Sequence, residues 1–161
     1  MVGIHWSRRT AANRVQLIDR EPQPGLDPSA LLLRITAEAV ILQDEAEAVL
    51  RAVSRHEHLG KVAPRAGPLV RRFFALREQL PAHSADPQLH RLRAMLDTIL
   101  YHHAMQLATA LEFLALDGRS TLMSERVSGF TGLGSAAELL DDVYRALREL
   151  QADRRDSRWL S

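Results

Sequence analysis

Seven apolar residues between Leu32 and Val53 recur at gaps that alternate three and four: Leu32, Ile35, Ala39, Leu42, Ala46, Val49 and Val53. Only a helix brings such positions onto one face, and a run unbroken over three heptads is the seam of a helix packed lengthwise on another. Asp27-Pro28 stands just before it. Aspartate caps free backbone N–H groups, and proline is tolerated at the first helical position. Gly60 follows the seam, so the pattern predicts a helix over residues 27–58, about 45 Å long at 1.5 Å per residue.

The rest of the chain repeats this grammar. Pro64, Gly67 and Pro68 read as a turn, followed by a shorter helix over 68–80 with Leu69, Phe73, Leu76 and Leu80 on one face. Asp86-Pro87 repeats the first helix start and predicts a second helix of about thirty residues, ending at Asp117-Gly118. Residues 120–127 predict one or two helical turns, and 128–134 a glycine-rich loop. Ser135 and Glu138 have the spacing of a capping box. The helix they open carries the seam Ala136, Leu140, Val143, Leu147 and Leu150 to about residue 151, or 155 at the longest. No segment alternates in steps of two with β-branched residues, so no sheet is expected. The fold class is therefore all-α: a helical bundle of four main helices, two of them about thirty residues long, with minor helical turns. Residues 1–26 form a basic lead-in, 27–155 the bundle domain, and 156–161 a C-terminal tail.

Composition removes several functions. The absence of cysteine excludes disulfides, thiolate catalysis and thiolate metal sites. A net charge of +1 offers no global field for nucleic acid or a membrane surface. Lys61 is the only lysine, so the cations are arginines. No stretch approaches the ~20 apolar residues of a membrane span, and the first twenty residues lack the apolar core of a secretion signal. The chain reads as cytoplasmic, with no membrane contact.

The least ordinary segment is residues 98–111, TILYHHAMQLATAL, fourteen positions without a charge. A surface helix shows a charged face. This one should run through the middle of the bundle or be covered by a second subunit. It places His103 on the stripe of Leu96, Leu100, Leu107 and Leu114, and His102 with Met95, Ile99, Gln106 and Phe113. Adjacent helical residues diverge by about 100°, so one ion does not take both rings, and no His-x-x-x-His or Glu-x-x-His pair assists. No metal or cofactor is expected. If a small-molecule pocket exists, Tyr101, His102, His103 and Gln106 are its candidate lining.

His56-Glu57-His58 falls at a helix end, where a cationic histidine suits the dipole. Arg51 and His56 reproduce the Arg-x4-His spacing of the helical HEPN ribonucleases, without an asparagine-like polar residue after Arg51, and the likeness ends there. The loop from Gly129 to Gly134 precedes a helix N-terminus, but it lacks a Walker lysine and a preceding strand. It reads as a capped turn, with Phe130 and Leu133 tucked onto the core. Trp6, Arg8 and Arg9 near one end and Trp159 near the other are the residue types that dominate interface energies, and they are candidate partner contacts.

The leading expectation is a non-enzymatic helical interaction or regulatory module acting through protein–protein contacts, as a homo-oligomer or a subunit of a complex. One alternative is a small-molecule-binding protein or small enzyme with a pocket near His102 and His103. The other is a nucleic-acid-associated subunit using Arg8, Arg9, Arg14, Arg71, Arg72 and Arg77, which requires those arginines to share a face.

Overall fold

The computed structural model of the chain describes residues 27–82, 84–116 and 121–159, and they form five helices with no strand among them. These are α1 (Pro28–Ser54), α2 (Leu59–Glu78), α3 (Pro87–Leu116), α4 (Thr121–Ser128) and α5 (Ser135–Trp159). The all-α bundle expected from the seams is what the chain adopts.

The two long central helices, α1 and α3, pack on each other; α2 and α5 flank them, and α4 closes one end. The α1 seam is buried at Leu32, Ile35, Ala39, Ala46, Val49 and Val53. At the fourth position the contact slides by one residue. Leu42 is half-buried, and the buried Gln43 instead donates from Nε2 to the Ala137 carbonyl, 3.1 Å away, tying α1 to the start of α5.

Both Asp-Pro starts are helix caps. Asp27 accepts from Ser29 N at 3.0 Å, and Asp86 from Gln88 N at 2.8 Å. Arg154 of α5 reaches both carboxylates, at 3.4 Å to Asp27 and 2.7 Å to Asp86. The N-termini of α1 and α3 therefore lie side by side, the two helices run parallel, and α5 descends antiparallel to them. The backbone bonds, first from Gln88, and the Arg154 guanidinium hold the Asp86 carboxyl below its usual range. Asp86→Ala is expected to destabilise the fold, because the N-cap of α3 is lost. Arg154→Ala should cost less, because its ion pairs remain partly open to solvent, where such pairs contribute little. Urea unfolding of both variants checks the order.

Three local expectations are corrected. First, α1 stops at Ser54, not near His58. His56 adopts a left-handed φ of 56°, and the bonds His56 N to Val53 O and Glu57 N to Ala52 O close the helix in a Schellman turn. His58 then caps the next helix, its Nδ1 accepting from Gly60 N at 3.1 Å, so this ring acts at a helix start and not at a helix end.

Second, the predicted turn at 64–68 is helical. Pro64 and Pro68 sit inside α2. Spaced four apart, they are both exposed, and so is Gly60. The two carbonyls that lose an N–H partner, those of Gly60 and Pro64, thus belong to residues on the solvent side, where water serves them. The inner face meanwhile keeps its spacing through Val62, Ala66, Leu69, Phe73 and Leu76, all buried.

Third, α5 continues to Trp159, through most of the expected tail, because nothing after Gln151 breaks a helix and Arg154 anchors the extension. The capping box at its start is not formed: Gly134, at φ 61°, turns the chain, and Ser135 is already helical. Phe130 and Leu133 do tuck inward, Leu133 buried and Phe130 5.8 Å from Phe113.

Candidate functional site

The charge-free stretch lies in the second half of α3 and divides into an inner and an outer face. Ile99, Leu100, His103, Ala104, Leu107 and Ala110 are buried. Thr98, Tyr101, His102 and Met105 are exposed. The helix is not enclosed by its own chain, so the first of the two explanations for its lack of charge fails for the described residues.

On the inner face His103 has no exposed surface. Its Nδ1 lies 2.9 Å from the Ile99 carbonyl one turn back and donates to it. The Phe73 ring of α2 meets it nearly edge-on, with centroids 5.2 Å apart. With the proton on Nδ1, the other nitrogen, Nε2, is a buried acceptor with no hydrogen-bond partner. Burial lowers the pKa to about 4; the Ile99 bond opposes this, and the neighbouring His102 adds to it slightly. At neutral pH the ring is an uncharged core residue.

Gln106, half-buried, donates from Nε2 to the Gly132 carbonyl at 2.7 Å and so pins the 129–134 loop to α3. Its Oε1 is buried without a partner.

Tyr101 and His102 do not join these two. Tyr101 lies on α2's edge, 6.3 Å from Phe74 and with the Arg77 guanidinium 5.0 Å above its ring. His102 faces solvent. The four residues expected to line a pocket are split between core and surface, as consecutive helical positions must be. Two open clefts lie elsewhere. One of about 620 Å³ between α1 and α5 is lined by Val40, Tyr144, Arg145 and Arg148, and one of about 380 Å³ between α1 and α2 by Leu42, Pro64, Pro68 and Arg72. Neither involves His103 or Gln106. No three histidine or acidic side chains gather as a metal would require among the described residues.

The other candidate residues are dispersed. Arg72 forms an ion pair with Glu38, and Arg77 one with Asp97 at 2.8 Å, leaving Arg71 as the member of that trio outside any ion pair among the described residues. Arg51 bonds Glu47 at 3.0 Å, and His56 Nε2 lies 2.9 Å from Ser128 Oγ. Trp6, Arg8, Arg9 and Arg14, and the side chain of Trp159, lie outside the described residues.

The outer face of α3 is a further candidate, whose residues the sequence reading did not single out as a set. Running from Ala94 and Met95 through Thr98, Tyr101, His102 and Met105 to Thr109, it occupies an arc of about 120° at 100° per residue. Met95, Tyr101 and Met105 are 41%, 45% and 39% exposed. The signal was present, since the same missing charges that suggested a buried helix leave an apolar ridge once one side is open. No protein-family model, curated protein or solved structure matches this chain.

Proposed function

We propose that this protein is a helical interaction module that acts by protein–protein contact, through the outer face of α3, and not by chemistry of its own. One observation carries the reading: from Ala94 to Met105 that face is exposed and α3 contributes no charged side chain to it, the Arg77–Asp97 ion pair lying at its edge beside Tyr101. Every other long helix turns charge outward. On α1 the outer residues include Arg34, Asp44 and Glu45; on α2, Lys61, Arg71 and Arg72; on α5, Asp141, Asp142, Arg145 and Arg148. Methionine and tyrosine in place of charge are what interface cores favour. The pocket reading lacks support, because His103 is sealed beneath Phe73 while Tyr101 and His102 point outward.

The test is native mass spectrometry of the protein purified from its own host, alongside a Thr98→Lys/Met105→Lys variant. The wild type is expected to appear bound to protein, its own copy or another, above the 18.1 kDa of the chain. The variant should lose that mass while its thermal unfolding stays within about 0.5 kcal/mol of wild type, as surface changes do. A wild type found only as a bare monomer sinks the reading.

A further inference from the structure

We infer that the occupant of this face is a second copy of the same chain, laid antiparallel along α3 with the twofold axis between Tyr101 and His102. The inference rests on the protein-contact reading above and adds the partner and its orientation. The uncharged ridge is bounded by one charge at each end. Arg91 lies on its N-terminal side and Glu112 on its C-terminal side, both exposed and neither in an ion pair among the described residues. They are twenty-one residues apart, six turns of a 3.5-residue seam, so they share the ridge's face, about 32 Å from each other. Their midpoint falls between Tyr101 and His102.

That placement decides the orientation. Side by side in parallel, two copies would set Arg91 against Arg91 and Glu112 against Glu112. Antiparallel, each Arg91 meets a Glu112, twice per dimer by symmetry. In the same register Thr98 lies opposite Met105, a small side chain against a long one, and Tyr101 lies opposite His102 at the axis. Alternation of small and large across a seam is what lets two helices interdigitate. A single helix pair covers less than the ~800 Å² per partner of a standard interface. The dimer is therefore weak, dissociating on the order of micromolar concentrations.

The experiment is sedimentation of the full chain over micromolar to near-millimolar concentrations. The wild type should shift from 18.1 kDa toward twice that mass. Arg91→Glu and Glu112→Arg each place two like-charge pairs in the dimer and should weaken it at least about tenfold. Mixed one to one, these variants should associate again, since one then carries two acids and the other two arginines along the seam. Because the chain has no cysteine, introduced thiols report the register. Thr98→Cys and Met105→Cys should cross-link with each other and not with themselves, since like positions stand about 10 Å apart along the axis, beyond disulfide reach. Self-cross-linking of either variant, or a dimer indifferent to both charge reversals, overturns the antiparallel seam and leaves the protein-contact reading intact. A wild type that stays monomeric also overturns it. The contact reading then survives only if another protein co-purifies and is released by Thr98→Lys/Met105→Lys.

Discussion

Between pH 6.5 and pH 4 this protein is expected to lose about 3 kcal/mol of stability that a His103→Leu variant keeps. In the unfolded chain the imidazole titrates near 6.5, while in the fold its pKa is about 4 because the ring is enclosed between α3 and Phe73. Across that window the unfolded state binds the proton and the folded state does not, so acid favours unfolding. The loss begins as pH falls below 6.5 and is complete once the folded ring protonates near 4; each unit of separation is worth about 1.4 kcal/mol. Urea midpoints measured at pH 7.5, 6, 5 and 4 for both proteins provide the check. The difference between the two curves isolates His103, because exposed groups titrate alike in each. At neutral pH the variant should be as stable as wild type or about 1 kcal/mol more so, since leucine removes an acceptor buried without a donor. Parallel curves would mean that water reaches the ring.

Phe73→Ala should be the most damaging single truncation near this site, at about 3–5 kcal/mol. Phe73 has no exposed surface and heads the buried side chains by size. A domain of this kind holds about 5–15 kcal/mol in total, so the variant should unfold at much lower urea. The cavity opens beside the ring of His103, whose Nε2 has no partner. A water admitted there would bond the nitrogen, which places the cost at the lower end of the range and flattens the acid slope described above. In the double variant Phe73→Ala/His103→Leu the cavity is dry, and its losses should exceed the sum of the single effects. Calorimetry of the four proteins of this cycle measures the coupling, and strict additivity would refute it.

The bundle was legible because seams depend only on spacing. Leu32 to Val53, Leu96 to Leu114 and Ala136 to Leu147 keep to one face whatever their neighbours are. The Asp-Pro starts were equally plain, since a cap is a local bond. What failed was punctuation. Pro64 and Pro68 are breakers in isolation, yet here their exposure lets solvent replace the lost bonds while Val62 and Ala66 extend the buried stripe. The end of α5 was invisible because its anchor, Arg154, acts on carboxylates far away in the chain. The site was half legible. The missing charges of 98–111 marked the segment, but which half faces outward depends on how α2 and α5 pack, and that is a tertiary fact. Tyr101 and His102 were grouped with His103 and Gln106 by nearness in sequence, which on a helix separates side chains as often as it joins them.

The clasp of Arg154 on Asp27 joins residues 127 positions apart. Closing so long a loop costs more chain entropy than a neighbouring-helix contact, so α5 is expected to dock after α2 and α3 have paired over their short connection. Among the five described helices α1 comes first in the chain and α5 last, so the flank of α1 that α5 covers waits longest for its partner.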